Sequence, residues 1–320
     1  MTRSGGDALR DRLGELVRQR RAGVLRPLAS TADSAVAPAA DALSSARDDA
    51  ALAAAPPAPA RRKRATAASV RKKRTGSDDP AREGVEAYLP GGVWTHERHG
   101  SVYVHERLRS AVEKRKPQWG RLPEPSPGEI ELSSVRHLGL SRALFLDLET
   151  CGLSSSPVFL AGTMFWNGED FVLRQYFARH YGEEAALLAA VAEQVQQFEL
   201  MITFNGKSYD APFLHARALT HGVALQLPRH HLDLVHHSRR RWREELPDCR
   251  LTTLESRICK RRRTGDVPGE EIPERYHEYV RSGDPWPMVP VFHHNLLDVT
   301  TMADVLHALC KPRRVRVNED

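Results

Sequence analysis

Apolar positions are sparse and small up to residue 82 and strongly patterned after it. Residues 22–80 are rich in Ala, Pro, Ser and Asp with almost no aromatics, so this stretch cannot bury enough apolar area to offset the entropy of ordering and is expected to be disordered. Within residues 7–21, Leu9, Leu13, Leu16 and Val17 recur at helical spacing and predict a short helix, which is marginal without a partner. Order is expected from residue 83. Residues 89–94 and 101–105 predict short strands about a turn at His99-Gly100, and the Pro/Gly-rich stretch 117–128 reads as a connector.

The main domain is predicted to begin near Leu138. Leu144-Phe145-Leu146-Asp147-Leu148-Glu149 is an apolar run ending in two acids, followed by the small-residue turn Thr150-Cys151-Gly152. Residues 158–166 and 171–177 read as two further strands joined at Asn167-Gly168, a hairpin signal. Residues 182–198 show helical periodicity, 200–204 are a fourth apolar strand, and Asn205-Gly206 ends it. Residues 208–220, 232–242, 252–258, 274–281 and 295–309 read as helices. Antiparallel strands followed by helix–strand–helix predict an α/β fold with a mixed sheet flanked by helices. The expected organisation is a tail (1–82), a small β/loop segment and connector (83–137), and the main domain (138–312).

Side chains alternate along a strand, so Asp147 and Glu149 leave the same face. Two carboxylates that close repel each other unless a cation lies between them, and a hard divalent ion is the usual partner. A strand end whose acids merely face water is the bland alternative. Asp210 follows the fourth strand by a few residues, at the start of a predicted helix, where the carboxyl ends of strands form ligand sites in α/β sheets. A first-turn acid favoured by the helix dipole is its ordinary reading. Asp298 sits on the last helix between apolar neighbours, with His294 four residues before it on the same face and His293 adjacent to that. A regular helix would aim His294, not His293, with Asp298; a helix delayed by Pro290 would leave His293 free to turn inward from a loop.

Charge changes the picture in one respect. Residues 1–82 hold 17 of the 47 Lys and Arg and 9 of the 41 Asp and Glu, a net of +8, which leaves −2 on residues 83–320. The tail clusters Arg61-Arg62-Lys63-Arg64 and Arg71-Lys72-Lys73-Arg74 suit sequence-independent attraction to phosphates, or simple solubility. In the domain, Arg239-Arg240-Arg241-Trp242-Arg243 and Lys260-Arg261-Arg262-Arg263 concentrate cations beside one aromatic, which suits phosphate pairing and base stacking. A solvated basic face with a core tryptophan is the alternative. The four cysteines form no C-x-x-C pair and are expected to be reduced thiols. No apolar run is long enough to span a bilayer and no signal-peptide core is visible, which sets the expectation of a cytoplasmic protein with no membrane partner.

The set Asp147-x-Glu149, Asn205-x-x-x-x-Asp210 and His294-Asn295-x-x-Asp298-Val299 resembles the DEDD superfamily of 3′–5′ exonucleases on the ribonuclease-H-like fold. It is similar in particular to a largely uncharacterised bacterial ribonuclease-H-like group, through Phe204-Asn205-Gly206-Lys207-Ser208-Tyr209-Asp210, Leu232-Asp233-Leu234-Val235-His236, Arg239-Arg240, Leu254-Glu255 and Gly265-Asp266-Val267-Pro268-Gly269. The third motif departs from the pattern, with His294 in the slot where one branch has Tyr and His293 in the slot where the other has His. The resemblance implies two Mg²⁺ or Mn²⁺ ions held by Asp147, Glu149, Asp210 and Asp298, with His294, or else His293, as general base. It implies a nucleic-acid substrate entered from a single-stranded 3′ end, DNA or RNA; the expected contacts are Asn205, Lys207 and Asn295 from the motifs and Arg239, Arg240 and Trp242 from the basic cluster. The alternative function is a nucleic-acid-binding module with a degenerate or dormant site.

Overall fold

The computed structural model describes residues 84–113, 130–152 and 156–311. The predicted helix at 7–21, the tail with its two basic clusters and the connector at 117–128 lie outside the described residues. One seven-stranded sheet organises the rest. Its strands are β1 (Gly92–His96), β2 (Gly100–Leu108), β3 (Ala143–Thr150), β4 (Val158–Trp166), β5 (Phe171–Phe177), β6 (Leu200–Thr203) and β7 (His230–Asp233), in the spatial order β1-β2-β5-β4-β3-β6-β7. The pairs from β1 to β3 are antiparallel, whereas β3–β6 and β6–β7 are parallel. The hairpin β1–β2 therefore extends the main sheet beyond β5. β7 was not expected as a strand: His230-His231-Leu232-Asp233 carries one apolar residue, as an edge strand can.

The helices are α1 (Arg109–Val112), α2 (Ile130–Leu138), α3 (Glu184–Val195), α4 (Asp210–Thr220), α5 (Leu234–Trp242), α6 (Leu251–Arg257), α7 (Ile272–Ser282) and α8 (Met288–Cys310). Among the described residues none is long and apolar enough to cross a membrane. Two cores lie on opposite faces of the sheet. Leu144, Leu146 and Leu148 of β3 pack with α3 and α4, while Ala143 and Phe145 pack with the apolar faces of α2, α5, α6 and α8. By the same alternation Asp147 and Glu149 point to the α8 face. α8 begins at Met288, seven residues before the predicted start, because Pro290 stands in the first turn, where a missing N–H costs nothing.

Candidate active site

Three elements bring the acids together. Asp147 and Glu149 come from the carboxyl end of β3, Asp210 is the first residue of α4, and Asp298 comes from the middle of α8. Asp210 is fixed by the β3 backbone, since Leu148 N–H donates to its Oδ1 at 3.0 Å. Asp147 is held from α8: Asn295 Nδ2 donates to Asp147 Oδ2 at 2.9 Å and to its carbonyl at 3.3 Å. Asn295 Oδ1 in turn accepts from Gln175 Nε2 at 2.9 Å. This close approach of helix to sheet depends on Gly162, which faces Asp147 across the β3–β4 ladder; a Cβ there would sit 2.0 Å from Asn295 Oδ1.

Burial first, and then neighbouring charge, raises the pKa of Asp147, Glu149 and Asp210. Burial pushes Asp147 well above the usual carboxylate range, and the charges of Asp298, Glu149 and Asp210 push it further. Burial lifts Glu149 to about 8, with Asp298 and Asp210 adding to the rise and His294 opposing it. Burial lifts Asp210 to about 7 against the lowering effect of the Leu148 N–H, with Asp233 and Asp298 adding to the rise. Their donor atoms are all carboxylate oxygens, the chemistry hard divalent cations take. Among the described residues, however, no three His, Cys, Asp or Glu side chains stand as a preassembled metal cluster. Asp298 is instead gripped by protein cations: Arg263 Nη2 bonds its Oδ1, and His294 Nε2 lies 3.3 Å from its Oδ2.

His294 is wedged between two acids, its Nδ1 donating to Asp266 Oδ1 at 2.8 Å. Burial alone would lower its pKa, but the bonds to Asp266 and Asp298 and the charges of Asp298 and Glu149 raise it to about 11. Asp266 is correspondingly held down at about 2, burial being outweighed by His294 and Arg263. The helix runs unbroken through His293, which is half-buried and turned about 100° round the axis from His294.

Residues 144–310 match the family model RNase_H_2, described as RNase_H superfamily. The chain belongs to that superfamily. The mixed sheet flanked by helices is its ribonuclease-H-like α/β fold. Uncharacterized protein YprB of Bacillus subtilis (strain 168) is 29% identical over 174 residues, covering 53% of this chain and 42% of that protein. DNA polymerase 1 of Sulfolobus acidocaldarius is 24% identical over 151 residues, 47% of this chain and 15% of the polymerase. Among solved structures, the family B DNA polymerase from the hyperthermophilic archaeon Pyrobaculum calidifontis matches 51% of this chain and 23% of its own, at 17% identity and a TM-score of 0.42. The chain thus spans less than half the length of these curated relatives.

Within the ribonuclease-H-like domain, several expected substrate contacts fall elsewhere. Asn295 is fully buried and holds Asp147, so it supports the site rather than touching a substrate. Trp242 is 6% exposed and packs in the α8-side core, which leaves no ring face for a base. Two of the cations at residues 260–263 are consumed by ion pairs. Arg261 binds Glu113 and Asp304, and Arg263 binds Glu255, Asp266 and Asp298. Arg240 is exposed but leans on His237 Nδ1 at 2.8 Å. Asn205, Lys207 and Arg239 are exposed near the end of β6. Sequence reasoning missed Arg263, Asp266 and Glu255 as parts of the site. Leu254-Glu255 and Gly265-Asp266 figured in the sequence only as parts of the family resemblance, and their pairing with Arg263 was hidden because Glu255 and Asp298 are 8 and 35 residues from it.

Proposed function

We propose that this chain is a divalent-metal-dependent nuclease that removes nucleotides from the 3′ end of single-stranded DNA or RNA, in the manner of the DEDD exonucleases it resembles. The observation that carries this reading is that Asp147, Glu149, Asp210 and Asp298, from three elements, lie close enough for the others to raise the pKa of Asp147. Such a site is costly to hold without cations. The presence of a DNA polymerase among the similar proteins favours nucleic acid as the substrate class. The four acids would hold Mg²⁺ or Mn²⁺, two ions in the DEDD manner. When bound, such ions activate water and shield the phosphate charge.

The chain's own residues supply the rest. Asn295 sets the direction of Asp147, and the Leu148 N–H fixes Asp210. Asp266 Oδ1 accepts a hydrogen bond from His294 Nδ1–H, which leaves Nε2, 3.3 Å from Asp298 Oδ2, as the nitrogen that can accept the proton of an attacking water. Acceptance requires neutral imidazole. The bonds to Asp266 and Asp298 and the charges of Asp298 and Glu149 keep His294 protonated, so neutralising Asp298 and Glu149 removes part of what holds its pKa up.

One observation favours a second reading, a nucleic-acid-binding module with a dormant site: Arg263 and His294 already engage both oxygens of Asp298. One experiment separates the two. Single strands labelled at the 3′ or the 5′ end are incubated with the full chain and Mn²⁺. The nuclease reading expects immediate release of labelled mononucleotide from the 3′ end, a descending ladder from the 5′ label, and loss of both in Asp147→Asn. Intact strands that remain bound would overturn it in favour of the second reading.

A further inference from the structure

We infer that the pocket beyond the end of β6, walled by Arg239 and Arg250, holds one unpaired nucleotide of the strand, with its phosphate on both guanidinium groups. The direction in which the strand enters rests on the nuclease reading above; the affinity of the pocket for a strand phosphate does not.

The pocket has a volume of about 410 Å³, and Phe204, Asn205, Val235, Arg239, Asp248 and Arg250 are among the residues that line it. That volume lies in the range of small-ligand sites, about 300–1,000 Å³, and suits one nucleotide rather than a duplex. Of the arginines in residues 239–243 and 260–263, Arg240, Arg261 and Arg263 are already engaged as described, and Arg241 Nη2 donates to the Lys311 carbonyl at 3.0 Å. Arg239 and Arg250 are exposed, and among the described residues neither guanidinium is seen in an ion pair or side-chain hydrogen bond. Two guanidinium groups lining one cavity, with no ion pair or side-chain hydrogen bond among the described residues holding either, are a phosphate-binding arrangement. Asp248 adds one carboxylate to a lining with two guanidinium groups, so the pocket keeps a net positive charge. Asp248 Oδ1 accepts the Arg250 backbone N–H at 2.9 Å, and a bond from Thr253, that N–H and the Arg250 charge hold its pKa down.

The floor of the pocket is a built turn. Asn205 has φ of +67°, a left-handed conformation that costs a non-glycine residue energy and is retained where surroundings enforce it. The enforcing group is Asp233, 1% exposed, which accepts from Asn205 N–H at 2.7 Å and from Lys207 N–H at 3.0 Å while capping α5 through Val235 N–H at 3.1 Å. Gly206 is packed against Thr203, with room for no Cβ: one would lie 2.4 Å from Thr203 Oγ1. Asp233 thus locks the exit of β6 in a shape that presents Asn205 to the pocket. Asp210 begins α4 four residues after Gly206, and Ala211 N–H bonds the Gly206 carbonyl at 2.9 Å. The pocket is therefore one short turn from the acidic site, on the same end of the sheet. Phe204 and Val235 give an apolar wall against which a base can rest.

The test is fluorescence anisotropy of a fluorescein-labelled twelve-residue oligothymidylate on the full chain in EDTA, repeated across salt. Arg239→Gln and Arg250→Gln should each weaken binding about 5- to 10-fold and lower the salt slope by about 0.7 per arginine removed. Arg243→Gln, an exposed arginine of the same cluster that does not line the pocket, should change affinity less than about 2-fold. Unchanged affinity in both pocket variants overturns the inference, and so does an equal loss in Arg243→Gln, which would mean general surface attraction. Displacement of the strand by free thymidine monophosphate at equal nucleotide concentration would also overturn it, by making the pocket a mononucleotide site. A chain that binds as expected but digests nothing with Mn²⁺ would contradict the nuclease reading alone.

Discussion

Replacing Arg263 by Gln removes one guanidinium from three carboxylates. Asp266 and Asp298 both keep His294 as a partner, at 2.8 and 3.3 Å. Glu255 fares worse. It is 1% exposed, and its nearest remaining cation is Arg261 Nε at 3.9 Å from an oxygen that makes no hydrogen bond among the described residues. Leaving one partner of a buried pair uncompensated costs about 3–5 kcal/mol. At about 2–4 °C per kcal/mol for a domain of this size, the melting temperature should fall by roughly 6–20 °C. Even with Arg263 present, burial keeps the Glu255 pKa raised, so the orphaned carboxylate should escape by taking up a proton. A raised carboxylate stabilises below its unfolded pKa and loses that contribution as pH rises, so the defect should be larger at pH 8 than at pH 5. Scanning calorimetry of the wild type, Arg263→Gln and the double variant Arg263→Gln/Glu255→Gln measures this. The double variant should recover most of the loss, because no buried charge is left unpaired. A single variant within about 2 °C of wild type, or a double variant no better than the single, would refute the reasoning.

Further outcomes follow from the same geometry. Gly162→Ala should displace Asn295 from Asp147, lowering stability by about 1–3 kcal/mol in a denaturant titration and slowing Mn²⁺-dependent cleavage about 10-fold; cleavage at the parental rate would mean that Asn295 does not direct Asp147. In EDTA the melting temperature should fall as pH rises from 5 to 9, because Glu149 at about 8 and Asp210 at about 7 are raised above their ordinary values and lose their stabilising protons across that window. Mn²⁺ should flatten that slope, and a flat profile in EDTA would contradict the mutual repulsion of the acids. His294→Ala should abolish the neutral-pH inflection of the cleavage rate along with most of the rate, whereas His293→Ala should retain both; the opposite pattern would reassign the base.

Much of the sheet was legible because its signals are local. β4 and β5 follow from apolar runs bounded by Asn167-Gly168, and the shared face of Asp147 and Glu149 follows from strand alternation alone. β7 was not legible, because an edge strand with one buried apolar residue looks like the start of the helix that follows it. α8 was read too short because Pro290 was weighed as a stop, although in a first turn it costs no hydrogen bond. The four acids could be collected from sequence by their motif spacing. The charge compensation around them could not: Lys260-Arg261-Arg262-Arg263 reads as a solvated basic run until the fold delivers Glu113, Glu255, Asp298 and Asp304 to two of its members. Asn295 was misread for a similar reason, since only the absence of a side chain at Gly162, far away in sequence, reveals that it is buried against Asp147.

Calorimetric titration of the full chain with Mn²⁺ at pH 8 tests most directly whether Asp147, Glu149, Asp210 and Asp298 form one cation site. Saturable binding is expected in the wild type, with loss of that binding in Asp147→Asn and in Asp210→Asn while both variants melt at or above the wild-type temperature in EDTA, since each relieves like-charge repulsion. Saturable binding that survives in both variants, or no binding by the wild type, would contradict it.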